Sequence, residues 1–325
     1  MSLTVWTNRT LQPGPRALLL EGLAAAGCRL VQSAISSRSG LAKSEPDPAL
    51  AGADLACGQP DPGEVMKNPR LKWVALLTAG YTHYDRDDFR AAMKQRDTIM
   101  TNMSSVFSNP CAEHLLAQML AFTRELPKYI FNQAGPRAWN HLEGRDSIEL
   151  LTGKTVVLLG YGAIGKRLAE LLAPFRCRVI AVRRTPRGDE GVETVTGTEL
   201  PRVLALADHV VNLLPDSPAT RQFCNAARFA QMKHGACFYN ISRGTIVQQD
   251  DLLAALQTGQ VGAAYLDTLE PEPLPPAHPL WTTPNCHITP HVGGGHKEQD
   301  ENIVRHFLGN LGRFQRGEAL VDRII

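Results

Sequence analysis

An arginine, a glutamate and a histidine close three successive β-rich apolar runs. They lie in Asn240-Ile241-Ser242-Arg243-Gly244, in Tyr265-Leu266-Asp267-Thr268-Leu269-Glu270-Pro271-Glu272-Pro273, and in Thr289-Pro290-His291-Val292-Gly293. Each sits just past an expected strand, on the rim where open α/β sheets bind their ligands. The trio suits hydride chemistry on a 2-oxo acid. Arg243 would clamp the carboxylate and polarise the carbonyl, and His291 would give a proton as hydride arrives. Glu272 would raise the histidine pKa, so that the imidazolium is available. A single Arg or Glu is usually a surface residue and a single His a satisfied polar one. The chemical reading rests on their joint spacing behind a cofactor signature.

That signature is a strand, a glycine turn and a helix in order. Thr155–Leu159 runs into Gly160-Tyr161-Gly162-Ala163-Ile164-Gly165, then Lys166–Leu172. Gly160 permits a tight turn, Gly162 lets a pyrophosphate approach the backbone, and Gly165 allows close helix–strand packing. Free amides at the helix start, Ala163 and Ile164 among them, would hold the phosphates. An NAD-specific site places Asp or Glu at the end of the next strand. Here Val179-Ile180-Ala181-Val182 ends in Arg183-Arg184-Thr185-Pro186-Arg187. Arg183 and Arg184 could clamp a 2′-phosphate, so NADP is expected over NAD, with NAD still usable.

The elements that must position these groups follow from the pattern. The chain has 325 residues, room for two domains. A formal charge of +2 gives no footprint for nucleic acid, and no stretch nears ~18 consecutive apolar residues, so no membrane span is expected. The start has no apolar run behind a basic one, so no secretory signal is expected. The seven cysteines are scattered without CxxC spacing, which points to reduced thiols in a cytoplasmic protein and to no metal site.

Short apolar runs alternate with Ala/Leu-rich helical segments almost throughout, the mark of doubly wound parallel α/β sheets. Strands are expected at Leu3–Trp6, Cys28–Gln32, Ala53–Cys57, Lys72–Leu77 and Thr98–Thr101. A second series is expected at Thr155–Leu159, Arg178–Val182, His209–Leu214, Cys237–Ile241, Val261–Leu266 and His287–Thr289. Between the two series a long apolar helix is expected, with Asn109 as N-cap and Pro110 at its first position. The Pro-rich stretch Glu270–Pro276 reads as a stiff loop.

These motifs resemble the D-isomer-specific 2-hydroxyacid dehydrogenases. The resemblance runs over essentially the whole chain and is strongest from Asn102 to Gly295. It rests on the GxGxxG run, Asn240–Gly244, Leu266-Asp267 with Glu272-Pro273, Pro279-Leu280-Trp281 and Thr289-Pro290-His291. Intervals of 29 residues from Arg243 to Glu272 and 48 from Arg243 to His291 look like the family's catalytic spacing.

The resemblance implies two α/β lobes, Rossmann-like or flavodoxin-like, with the active site in the cleft. Residues 1–103 and 294–325 would form the substrate lobe, and 104–293 the dinucleotide-binding lobe. Asp267 would contact the nicotinamide carboxamide, and Leu214, Pro215, Thr220, Ile241, Ser242 and Gly293 would line the cofactor groove. Backbone amides near Ala79, Gly80 and Tyr81 would receive the substrate carboxylate, with Asn102 at the interdomain crossing. Members are commonly homodimers through the cofactor lobe, which suits the apolar helix.

The expected reaction is therefore reduction of a small 2-oxo acid, of the glyoxylate, hydroxypyruvate or 2-ketogluconate type, to the D-2-hydroxy acid. Two other readings use the same fold: a nucleotide-dependent corepressor-like binding protein, or a phosphite-type dehydrogenase. Formate enzymes of the family carry Gln where Glu272 stands, which argues against formate. Three departures stand out: Arg183-Arg184 in place of the usual acid, Ser104-Ser105 where glycine is common, and Thr268 where Val is common.

Overall fold

Alternating side chains drive the first sheet. In the computed structural model of the chain, which describes residues 2–37 and 44–325, five strands pair in parallel. They are β1 (Thr4–Arg9), β2 (Arg29–Ser37), β3 (Leu55–Cys57), β4 (Trp73–Ala75) and β5 (Ile99–Thr101), in the order β2-β1-β3-β4-β5. Successive strand residues point to opposite faces, so two cores form. Val5, Leu55 and Trp73 pack with Leu19, Leu23 and Phe307 on one side. Trp6, Ala56 and Val74 pack with Val65, Phe89 and Met93 on the other. Phe307 belongs to the last helix, Gln299–Gln315, and its ring stacks on Trp73 at 5.1 Å. The C-terminal segment thus completes the first unit, Met1–Phe107 with Gly295–Ile325.

The second unit, Ser108–Gly294, is built on seven parallel strands. These are β6 (Thr155–Leu159), β7 (Arg178–Val182), β8 (Glu193–Val195), β9 (His209–Asn212), β10 (Ala236–Asn240), β11 (Val261–Leu266) and β12 (Cys286–Ile288). Their order is β12-β11-β10-β9-β6-β7-β8. The direction of growth reverses between β6 and β9, a topological switch point with a crevice at the carboxyl strand ends. Both sheets are doubly wound, as expected.

Most strand limits fall within a few residues of the expected ones. The strand β8 was not expected. The long helix runs over Ser104–Thr123 and contains Pro110, so Asn109 is not its N-cap. Its start is capped from elsewhere: Asn102 Oδ1 accepts the Ser104 amide, and Asp322, from the far end of the chain, accepts the amide and hydroxyl of Ser105. Those acceptors satisfy the orphan amides of the first turn and let the helix begin a turn and a half before the proline. As its composition suggests, the helix is covered over most of its circumference, leaving one exposed position per turn at Ser105, Asn109, Glu113 and Ala117. Glu270–Pro276 is loop. Among the described residues no helix is long and apolar enough to cross a membrane.

Candidate active site

The phosphate cradle forms where β6 meets the helix Ala163–Leu172. Gly160 sits at φ +100°, and a Cβ there would lie 2.9 Å from the Leu213 carbonyl oxygen, so only glycine fits. A Cβ on Gly162 would meet nothing within 4 Å, while one on Gly165 would press on the Gly160 carbonyl at 3.2 Å. The N-cap Gly162 offers no side chain to the first-turn amides. Open space over Gly162 and uncapped amides from Ala163 to Gly165 fit a pyrophosphate.

Arg183 and Arg184 close β7. Arg184 is exposed and has no ion-pair partner among the described residues. Arg183 is engaged: its Nη1 lies 3.0 Å from Oε1 of the buried Glu190.

At the next strand ends, polar residues tie the loops together. Asn212 and Asn240 face each other in register on β9 and β10, and Asn212 Nδ2 donates to Asn240 Oδ1 at 2.9 Å. Asn240 Nδ2 in turn donates to the carbonyls of Arg243 and Thr268. Gly244 lies so close to Leu269 that a Cβ would sit 2.0 Å from its carbonyl carbon. That approach seats the Arg243 loop directly on the loop carrying Glu272. Ser242 Oγ donates to the Leu214 carbonyl, and Thr220 Oγ1 donates to the Pro215 carbonyl at 2.6 Å, closing the neighbouring loop.

Glu272 is fixed by its Oε1, which accepts the Leu269 amide at 3.0 Å, and its Oε2 lies 2.8 Å from His291 Nδ1. Burial alone would raise the Glu272 carboxyl. The hydrogen bonds from His291 and the Leu269 amide outweigh it and, with Arg243 nearby, hold the group below its ordinary value. An ionised carboxylate only accepts, so Nδ1 carries a proton and Nε2 is the nitrogen outside this pair.

His291 has left-handed backbone, φ +53°, which costs a non-glycine residue about 1–2 kcal/mol. Asp267, almost wholly buried, imposes it. Its carbonyl accepts the His291 amide at 2.9 Å. Its carboxylate accepts Thr289 Oγ1 at 2.6 Å and the amides of Val292 and Gly293 at 2.9 Å each. A Cβ on Gly293 would lie 2.6 Å from Ile241 Cδ1 and 2.8 Å from Asp267 Oδ2, so glycine is required there too. His114, which sequence spacing did not single out, stands behind this anchor with Nε2 3.3 Å from Thr289 Oγ1 and 3.8 Å from Asp267 Oδ1. Cys111, one turn before it, is buried, and its thiol is pushed up to about 12, chiefly by that burial.

Arg243, Glu272 and His291 therefore share one rim of the second unit. In the first unit, Asn102 Nδ2 donates to the Ala79 carbonyl at 2.7 Å, and Thr78 Oγ1 donates to the Gly80 carbonyl at 2.7 Å. This brings Asn102 onto the Ala79–Tyr81 loop. Sequence reading passed over Asn212, Asn240, His114 and Glu190. The two asparagines had a signal, a polar residue closing each of two apolar runs, Val210-Val211-Asn212 and Phe238-Tyr239-Asn240.

A dinucleotide cradle at the switch point, with a hydrogen-bonded histidine–carboxylate pair on the same strand ends, is the framework of a dinucleotide-dependent oxidoreductase. The family described as D-isomer specific 2-hydroxyacid dehydrogenase, NAD binding domain, matches residues 116–293. The human glyoxylate reductase/hydroxypyruvate reductase is 34% identical over 260 residues, 78% of this chain and 77% of that protein. Among solved structures, a D-isomer specific 2-hydroxyacid dehydrogenase from Xanthobacter autotrophicus Py2, in complex with NADPH and MES, superposes with a TM-score of 0.80. It is 29% identical, covering 100% of this chain and 98% of that one. An NADPH-dependent glyoxylate/hydroxypyruvate reductase from Sinorhizobium meliloti, in complex with NADP and sulfate, gives a TM-score of 0.77. Its identity is 27%, over 100% of this chain and 98% of that one. The chain belongs to the D-isomer specific 2-hydroxyacid dehydrogenases, enzymes dependent on NAD(P).

Proposed function

We propose that the protein reduces a small 2-oxo acid, of the glyoxylate, hydroxypyruvate or 2-ketogluconate type, to the D-2-hydroxy acid, and prefers NADPH. The observation that carries this reading is the 2.8 Å contact between His291 Nδ1 and Glu272 Oε2 beside Arg243. Bound on the Gly160–Gly165 cradle and the groove from Leu214 to Thr220, with Ile241, Ser242, Asp267 and Gly293, the reduced nicotinamide supplies a hydride. Arg243 holds the substrate carboxylate and polarises its carbonyl. His291 delivers the Nε2 proton to the carbonyl oxygen, while Glu272 keeps Nδ1 protonated and the ring oriented.

The basic turn Arg183–Arg187, where an NAD enzyme would carry an acid, supports NADPH. The names of the human and Sinorhizobium relatives support glyoxylate and hydroxypyruvate as substrates. Seven unpaired cysteines accord with a reducing cytoplasm.

A homodimer through the cofactor-binding unit is part of this proposal. Among the described residues, the most exposed large apolar side chains lie on the segment after the long helix and not on the helix itself. Phe131 is 69% exposed, Leu142 73% and Trp139 92%, with Ile130 and Leu150 also open. Apolar side chains gathered in this way mark an interaction surface.

The test is to follow NADPH oxidation with each 2-oxo acid and resolve the product on a chiral column, with light scattering for the assembly. D-glycerate from hydroxypyruvate is expected; an L-product, or no turnover of any small 2-oxo acid despite NADPH binding, overturns the reading.

A further inference from the structure

Between Arg183 and Gly191 the chain turns back on itself around one carboxylate. Glu190 Oε1 accepts Arg183 Nη1 at 3.0 Å and the Arg187 amide at 2.7 Å, and Oε2 accepts the Gly188 amide at 2.8 Å. Its carbonyl oxygen accepts the hydroxyl of Tyr161 at 3.0 Å. Tyr161 is the second residue of the GxGxxG turn and is itself buried. Glu190 therefore joins the pyrophosphate cradle to the basic turn. Gly188 and Gly191, at φ +85° and +71°, let the backbone close around it.

The Glu190 side chain is only 3% exposed and that of Arg183 18%. The Arg187 amide, the Gly188 amide and the Arg183 charge together hold the carboxyl below its ordinary value, though burial opposes them. A negative charge in this turn would repel a 2′-phosphate. Buried and saturated with donors, it has been neutralised by Arg183. What remains outside is the guanidinium of Arg184 and that of Arg187, with Asp189 the one exposed acid of the turn.

We propose that Glu190 is a positioning residue for coenzyme choice: it consumes Arg183 as an internal tether and shapes the turn so that Arg184, with Arg187, meets the 2′-phosphate. This inference rests on the NADPH preference proposed above and assigns its parts. Arg183 and Arg184, equivalent in the sequence, have different work. Removing Arg184 deletes a phosphate ligand. Removing Arg183 leaves the ligands in place. Removing Glu190 frees the Arg187 and Gly188 amides, loosens the turn and lowers NADPH affinity without touching NADH.

The experiment measures dissociation constants of NADPH and NADH by nucleotide fluorescence for the full-length protein and for Arg183→Ala, Arg184→Ala and Glu190→Ala. Hydrogen exchange of the 183–191 segment is followed without nucleotide. We expect Arg184→Ala to lower the NADPH-over-NADH affinity ratio at least tenfold, Glu190→Ala to lower it about fivefold, and Arg183→Ala to change it less than threefold. Exchange at Arg187 and Gly188 should quicken in Glu190→Ala, a readout independent of coenzyme.

Should Arg183→Ala collapse the ratio as fully as Arg184→Ala, or Glu190→Ala raise NADPH affinity, Arg183 is a phosphate ligand restrained by Glu190 and the inference is overturned. In that case the NADPH preference still stands. A ratio near one in the unaltered protein overturns the preference itself. If Glu190→Ala does not fold, the two arginine variants decide the matter alone.

Discussion

Asp267 holds His291 by its backbone: the His291 amide donates to the Asp267 carbonyl at 2.9 Å, and the Asp267 carboxylate gathers the residues on either side. A left-handed histidine would relax if released. One buried carboxylate just past β11 thus sets the backbone from which the His291 imidazole projects.

Asp267→Asn should accordingly harm catalysis through geometry. An amide in place of the carboxylate turns one acceptor into a donor that faces a donor, at a cost of about 2 kcal/mol. We expect kcat to fall roughly ten- to a hundredfold and thermal stability to drop. Urea denaturation and steady-state rates on the same preparation check this. Unchanged stability with unchanged kcat would mean that the carboxylate is not the anchor.

Glu272→Gln keeps the shape of the pair and removes its charge. The neutral amide no longer obliges His291 Nδ1 to carry the proton. A fall in kcat of roughly tenfold or more is expected, with NADPH affinity unaltered, since Glu272 does not belong to the phosphate cradle. An equal loss of NADPH binding would place Glu272 in cofactor retention instead.

His209, buried on β9 with Nδ1 2.9 Å from the Tyr239 hydroxyl, is pushed down to about 4 by desolvation. The unfolded chain takes up this proton near pH 6.5 and the folded chain resists until about pH 4. Between those values the unfolded state binds more protons, so stability falls as pH falls. The loss amounts to roughly 3 kcal/mol by pH 4. His209→Gln should flatten the stability profile from pH 6.5 to 4. An equally steep profile in the variant would assign the slope to other groups.

Thr268 is buried, and its hydroxyl has no hydrogen-bond partner among the described residues. Valine has the same shape without the stranded polar group. Thr268→Val is expected to stabilise the fold by about 1–2 kcal/mol, read as a higher denaturation midpoint at constant slope. A lower midpoint would show that the hydroxyl finds an acceptor in solution.

How far the sequence could be read depended on where each residue's partners lie. The glycine turn after β6 and the strands flanking it were legible because each signal is local: apolar runs, a φ > 0 glycine, a helix start. Arg243, Glu272 and His291 were legible through their places at strand ends. The start of the long helix was not, because its caps include Asp322, more than two hundred residues away. The strand β8 is three residues long with only Val195 buried, too short to show a period. Arg183 and Arg184 looked alike because nothing in a loop sequence announces that Glu190 is buried. His114 was passed over for the same reason: its role depends on Thr289 and Asp267, both supplied by tertiary contact.

In the proposed reaction His291 supplies the proton as the 2-oxo acid is reduced. Rates of NADPH-dependent hydroxypyruvate reduction for the unaltered protein and His291→Ala, with NADPH dissociation constants from the same samples, test it most directly. Steady turnover is expected of the former and a loss of roughly a thousandfold in kcat of the latter, at coenzyme affinities within twofold of each other. Retention of most of the rate without the imidazole would contradict it.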